Sequence, residues 1–195
     1  MYTPRHFSIS DQQELLQFIQ DNAFGQLISS HNDRPEATHL PFLLSQDGER
    51  LLCHLARQNP QLDSIDEQQV LIIFNGPHAY ISPRWYHSPG VPTWNYQSVH
   101  VYGIARTFSD EDRLISVVNQ LSEKYEAGAE NPWQPEYSAK MLRAIVGVEV
   151  EIKEIQGQYK LSQNRPAKDR QRVMQALQAE GEIAIAEAIE QWSKS

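Results

Sequence analysis

The stretch from residue 75 to residue 106, NGPHAYISPRWYHSPGVPTWNYQSVHVYGIAR, constrains this chain more than any other. It follows the apolar run Val70-Leu71-Ile72-Ile73-Phe74, and Asn75-Gly76-Pro77 reads as a turn. Residues 79–82 read as a short strand. Residues 99–104 read as a second, with Val99, Val101 and Gly103 alternating with His100, Tyr102 and Ile104. Between the two strands lie Trp85, Tyr86, His87, Pro89, Pro92, Trp94 and Tyr96, with Pro83 at the start. A connection this long inside a compact domain is either functional or disordered. The rings and prolines argue against disorder, so the spacing predicts an ordered loop that builds a binding surface.

The flanking chain reads as short strands interleaved with short helices. Ser10-Asp11-Gln12-Gln13 resembles a capping box with Ser10 as N-cap, and Leu15, Phe18 and Ile19 share one helical face. Strands are predicted over 24–29, 37–44 and 51–55, with turns at Asn32-Asp33-Arg34-Pro35 and Gln46-Asp47-Gly48. Pro41, which has no N–H to donate, marks an edge or a bulge. Asn59-Pro60 predicts an N-capped helix to about Asp66. Ser109-Asp110-Glu111-Asp112 starts another helix with the buried stripe Leu114, Val117, Val118, Leu121 and Tyr125, and a short one spans 138–145. Val148, Val150 and Ile152 form a half-buried strand, and Gln156-Gly157 marks a turn or a bulge. Pro166 opens a helix carrying Val173, Met174 and Leu177; Gly181 breaks or bends it, and Ile185, Ile189 and Trp192 line the last helix. The helices are too few for a crossover between every strand pair of a doubly wound sheet. The expected fold is therefore mainly β with peripheral helices (α+β), built on a small antiparallel barrel. At 195 residues this is one domain of ordinary size.

Three stretches carry possible chemistry. In His54-Leu55-Ala56-Arg57-Gln58-Asn59-Pro60 a strand delivers Arg57 to a capped helix start, where free amides and a guanidinium suit an anion such as a phosphate. A capped surface helix with an exposed Arg fits the same residues. Trp94-Asn95-Tyr96 offers rings for stacking and an amide to read a heterocycle, or ordinary core and dimer packing. Lys160-Leu161-Ser162-Gln163-Asn164-Arg165 is basic and follows a strand, so it either reaches a phosphate or forms a solvated turn. No two of the seven histidines have the i, i+4 spacing of a zinc helix, and no GxSxG, Walker A or GxGxxG occurs. The single cysteine, Cys53, sits in an apolar strand and excludes an internal disulfide or a Cys-based zinc site. A net charge of −8 argues against tight sequence-independent binding to nucleic acid. The start MYTPRHFSISD lacks an apolar signal region and no run is long enough to span a membrane, which points to the cytoplasm.

MYTPRHF at the start, ATHLPF at 37–42, HLARQNP at 54–60, GPHAYISPRWY at 76–86, VPTWNYQSVHVYG at 91–103 and KLSQNR at 160–165 occur in an order and spacing similar to one family. The chain resembles the PaiB-like family of FMN-binding negative transcriptional regulators over nearly its full length. The resemblance implies a split β-barrel of the FMN-binding type with C-terminal helices, distantly related to pyridoxamine-phosphate oxidases. It implies a barrel domain over 1–165, with a helical extension over 166–195 packed on the same domain. It further implies a homodimer with FMN at the subunit interface. Carried over by residue, Thr38, His39 and Leu40 lie along the flavin ring, and His54, Ala56, Arg57 and Asn59 near the ribityl phosphate. Trp94 and Asn95 approach from the aromatic loop, and Lys160 and Gln163 also contribute near the cofactor. The resemblance implies no metal and leaves two readings of function. One is a regulator of transcription; the other is an FMN-dependent oxidoreductase or a related haem-handling split-barrel protein.

Overall fold

Long alternating stretches build the sheet in the computed structural model, which describes residues 1–193. The strands are β1 (Ser8–Ile9), β2 (Phe24–His31), β3 (Arg34–Pro41), β4 (Leu43–Leu44), β5 (Arg50–Ala56), β6 (Gln69–Ile81), β7 (Thr93–Phe108) and β8 (Ile145–Lys160). The helices are α1 (Gln12–Asp21), α2 (Glu111–Glu126), α3 (Ala139–Arg143), α4 (Ala167–Ala179) and α5 (Ile183–Trp192). The sheet runs β3-β2-β6-β7-β8-β5-β4, with β1 paired to β8. The registers of β1 with β8, β2 with β3 and β6, and β5 with β4 and β8 are all antiparallel. Residues 194–195, the end of the expected helical extension, lie outside the described residues.

Contacts divide the chain into two units. One contains residues 1–15, 75–99 and those from 156 onward; the other contains 16–74 and 100–155. Strands β6, β7 and β8 supply residues to both.

In the second unit Leu27, Leu51, Cys53, Ile72, Phe74, Val101, Val148 and Val150 are fully buried, and the Phe42 and Phe74 rings meet edge to face at 5.3 Å. Strand β3 lies at one end of the strand order and approaches β5 near the other, so this part of the sheet curls toward closure. Pro41 ends this edge strand, where a residue without an N–H is tolerated. Gly103 is required where β7 meets β8, because a Cβ there would fall 2.4 Å from the Glu151 carbonyl oxygen. On α2, Leu114, Val117, Val118 and Leu121 are buried as expected, but Tyr125 is exposed.

The first unit has its own core: Ile81, Tyr159, Leu161, Val173, Leu177, Ile185 and Ile189, with Tyr159 edge-on to Trp192 at 5.2 Å. Gly181, at φ +83°, separates α4 from α5 in a conformation that favours glycine.

Three expectations are corrected. Asn75-Gly76-Pro77 is not a turn, since β6 runs through it. Burial falls on Val70, Ile72 and Phe74 and then on Ala79 and Ile81, so the alternation slips by one residue across 75–78. A proline cannot join a regular ladder but is accommodated in such a slip. Gln156-Gly157 likewise lies inside β8, where Gly157 pairs with Ile9 and a Cβ would fall 2.2 Å from Leu15 Cδ2. Asp11, rather than Ser10, caps α1: its Oδ1 accepts from Gln13 N at 2.9 Å and Glu14 N at 3.3 Å. The strands are consequently longer than the short ones expected, because Gly and Pro here serve packing and register instead of reversal. No helix among the described residues is long and apolar enough to cross a membrane.

Candidate functional site

The exit of β5 is shaped by a buried amide. Asn59 precedes Pro60 at the start of a single 3-10 turn, Pro60–Asp63, and its Oδ1 accepts from Gln61 N at 3.0 Å. Its Nδ2 donates to Thr38 Oγ1 at 2.9 Å, and the Thr38 hydroxyl donates to Gln61 Oε1. Gln61, only 1% exposed, donates through Nε2 to Ser29 Oγ at 2.8 Å, Glu36 O at 3.2 Å and Leu27 O at 3.3 Å. Every polar atom of this amide is satisfied, which rigidifies the segment against β2 and β3. The expected helix to Asp66 is thus one short turn, too brief to carry a macrodipole, so the anchoring of an anion falls to side chains.

Those side chains converge. Arg57 N donates to Ala144 O at 2.8 Å, its Nε to Arg143 O at 2.6 Å, and its Nη2 to Ile145 O at 3.0 Å. The guanidinium plane is therefore fixed, with Nη1 outside these bonds. Around it lies a pocket of about 520 Å³ lined by Ala56, Arg57, Gln58, Lys140, Arg143 and Ala144. Among the described residues none of the three cations is in an ion pair. Three positive side chains around a pocket suit a phosphate dianion.

Lys140 and Arg143 were not picked out from sequence. They stand more than eighty positions from Arg57 and reach it only because Ala56 pairs with Ile145 across β5 and β8. The available signal was local: Ser138 caps α3 through Met141 N, placing two basic residues three apart on its last turn. Gln61 was missed as well, because a glutamine after Asn-Pro reads as surface.

Of the residues expected at a cofactor, Thr38, His39, Leu40, His54, Ala56, Arg57 and Asn59 all belong to the second unit. Ala56, Arg57 and Asn59 gather at the end of β5, and Asn59 bonds Thr38. His39 is exposed on β3 beside Leu40, whose side chain is buried. His54 is half-buried and lines a different cleft, with Pro41 and residues of α2. Its Nδ1 is enclosed and has no hydrogen-bond partner among the described residues, and burial pushes its pKa down, so it is neutral at neutral pH. Burial also pushes the Cys53 thiol up, so it stays protonated.

Trp94, Asn95, Lys160 and Gln163 belong to the first unit. Asn95 is buried and its Nδ2 donates to Ser162 Oγ at 2.8 Å. Lys160 Nζ donates to Thr93 Oγ1, and desolvation lowers its pKa. Gln163 closes the end of β8, accepting from Leu161 N at 2.7 Å and donating to Tyr159 O. Trp94 is 54% exposed, edge-on to Tyr80 at 6.1 Å and tilted toward His78 at 6.4 Å. The structure thus gives Asn95 and Gln163 local structural bonds and leaves the Trp94 ring open.

Residues 1–154 match a family described as "Putative FMN-binding domain". The chain is 40% identical over 188 residues to "Protease synthase and sporulation protein PAI 2" of Bacillus subtilis, covering 92% of this chain and 90% of that protein. It is 32% identical to an uncharacterized protein of Aspergillus fumigatus, covering 86% of this chain and 87% of that one. In fold it is similar to the flavocytochrome Anf3 from Azotobacter vinelandii, with a TM-score of 0.66 and 17% identity over 81% of this chain and 72% of that one. The fold is the FMN-binding type of split β-barrel, an antiparallel sheet with peripheral and C-terminal helices. Matched along most of its length by both sequence and motif order, the chain belongs to the PaiB-like family of FMN-binding-domain proteins.

Proposed function

We propose that this protein binds FMN and holds the cofactor's phosphate in the pocket of Arg57, Lys140 and Arg143. The convergence of these three cations at the exit of β5 is the observation that carries the reading. Arg57 is oriented in advance by the Arg143 and Ile145 carbonyls, so little side-chain freedom remains to be lost on binding. Asn59 and Gln61 hold the Ala56–Gln58 backbone against the same pocket. In this reading the flavin ring follows β3 at Thr38, His39 and Leu40, while His54, Trp94, Asn95, Lys160 and Gln163 are assigned to the cofactor by the family resemblance. FMN, when bound, supplies one- and two-electron transfer. The chain's own residues bind and orient it.

The protein acts, on this proposal, as a PaiB-type regulator of transcription that works through another protein instead of gripping duplex DNA alone. The net charge of −8 supports this. So does α4, where Lys168, Arg170 and Arg172 flank the buried Asp169 and Arg170 Nη1 bonds Arg165 O at 2.7 Å. It forms a homodimer: Tyr80, Val91, Trp94 and Ile183 leave large apolar side chains open on the first unit, as interfaces do.

The absorption spectrum of the purified protein separates flavin from haem. Titration with FMN and riboflavin then tests the pocket. Arg57→Ala weakens FMN by about tenfold or more and riboflavin much less, because riboflavin has no phosphate. Arg57→Lys recovers only part of the loss. Equal losses for both ligands would remove the phosphate from this pocket.

A further inference from the structure

We propose that Lys140 is a site of acylation. A small acyl phosphate docks its phosphate in the Arg57 pocket and passes its acyl group to the Lys140 amine, and the neutralised side chain then holds FMN less tightly. This rests on the pocket being the phosphate site proposed above, and it adds a covalent control to that site.

The pocket, about 520 Å³, has the volume of a small-molecule site, more than a lone anion needs. Among the described residues no acidic side chain lines it, so an anionic donor meets no repulsion there. Arg57 is held by the Arg143 and Ile145 carbonyls, with Nη1 outside those bonds. A guanidinium stays protonated and is no nucleophile, whereas a lysine amine is one. Lys140 is therefore the one side chain of the pocket that can take an acyl group.

Lys140 is fixed at its backbone and free at its tip. Ser138 Oγ accepts from Met141 N at 3.3 Å and Leu142 is buried, which pins α3. The Lys140 side chain is exposed and makes no hydrogen bond or ion pair among the described residues. Three other lysines are engaged: Lys124 donates to Gln20 O at 2.6 Å, Lys153 pairs with Glu151, and Lys160 donates to Thr93 Oγ1. Lys168, on α4, is exposed and unengaged like Lys140 but lies outside the pocket, so it reports what exposure alone does.

The transfer balances without a redox partner. Lys140 Nζ, once it has released a proton to water, attacks the carbonyl carbon of the acyl phosphate. The N–C bond forms and the bond from that carbon to the phosphate oxygen breaks. Phosphate leaves with the electron pair and takes up the second surplus proton of the nitrogen. The product amide is neutral, so one of the three charges facing the cofactor's phosphate is lost. Holding the donor by its phosphate raises its effective concentration at Lys140, which singles this lysine out.

The test incubates the full-length protein with acetyl phosphate and, separately, with N-acetylimidazole, which carries no phosphate, and follows acetylation by peptide mass spectrometry. With acetyl phosphate Lys140 should react about tenfold faster than Lys168, and with N-acetylimidazole the two should agree within about twofold. Inorganic phosphate should slow Lys140 and leave Lys168 unchanged, and Arg57→Ala should bring the two lysines together. Equal rates with acetyl phosphate, the same preference with N-acetylimidazole, or a preference that survives inorganic phosphate or Arg57→Ala would overturn the proposal. Lys140→Gln, neutral like the amide, should weaken FMN about two- to fivefold and leave riboflavin unchanged. An unchanged FMN affinity there would overturn the control of the cofactor. The two ideas fail apart. Arg57-dependent FMN binding without a Lys140 preference defeats the acylation alone. A Lys140 preference that FMN does not suppress defeats the placing of the flavin phosphate and leaves the acylation standing.

Discussion

Residues 57–63 and 86–92 are both short connections rich in proline and polar side chains, yet they are held in place by different physics. The first is locked by a neutral amide: Gln61 is buried and fully bonded, and Asn59 caps the turn while reaching Thr38. The second is held by charges. Asp169 accepts from His87 N at 2.6 Å and from the Ser88 hydroxyl, while Arg165 lies 4.2 Å over the Tyr86 ring and donates to Pro89 O at 3.0 Å. Gly90 lets this loop fold onto Tyr86, since a Cβ there would fall 2.3 Å from Cδ2 of the ring. A neutral network is insensitive to pH and salt, so it can present the Arg57 pocket unchanged. A charged clamp couples its loop to solution conditions.

Five variants sharpen or break that contrast. The largest effect belongs to Gln61→Leu. It strips partners from Ser29, Thr38 and two main-chain carbonyls in a buried setting, at roughly 1–3 kcal/mol for each group left unsatisfied. A loss of about 3 kcal/mol or more should lower the melting temperature by about 6–12 °C. A change within about 1 °C would mean the amide does not organise the segment.

Next is the double variant Lys140→Ala with Arg143→Ala. It should weaken FMN by about tenfold while leaving riboflavin nearly unchanged, because two exposed charges at up to about 1 kcal/mol each together approach the roughly 1.4 kcal/mol of a tenfold change. Fluorescence titration reads this directly, and unchanged FMN affinity would leave Arg57 acting without them. Asn59→Ala should cost about 1 kcal/mol, the usual worth of an N-cap, measurable by denaturant unfolding.

The smallest effect at neutral pH is that of Asp169→Asn. The Ser88 hydroxyl, and then the His87 and Ser88 amides, hold the Asp169 carboxylate below its usual pKa. A depressed folded-state value means the stabilisation is complete above the unfolded pKa of about 3.9 and fades as pH falls through the folded value. The wild type should therefore lose stability below about pH 4 with a steeper slope than Asp169→Asn. Parallel slopes would show that the clamp does not use the ionised form. His54 adds a second acid-sensitive window in the other unit. Its lowered pKa means stability is full above about 6.5 and declines as pH falls below it, and His54→Leu should remove that decline.

Much of the architecture was legible. The alternation of Val99 to Ile104, the stripe from Leu114 to Leu121 and the Gly181 break each reflect a local period or a backbone preference, and each stands as read. Asn59 as a cap was legible because an N-cap is a local arrangement. Signals that depend on packing misled. Gly76-Pro77 and Gly157 look like turns in isolation, but they serve a register slip and the close approach of a leucine.

By itself, then, the sequence determined the strand and helix periodicities, the family, and the segment from His54 to Pro60 that bears the arginine, since each is written in neighbouring residues. Only the tertiary structure decided what surrounds that arginine. Pairing of Ala56 with Ile145 brings Lys140 and Arg143 to it, and Gln61 is buried because β2 and β3 close over it. The physical reason is the same in both cases: charge convergence and burial are properties of distance in space, and residues eighty positions apart carry no mark of it until the strands pair.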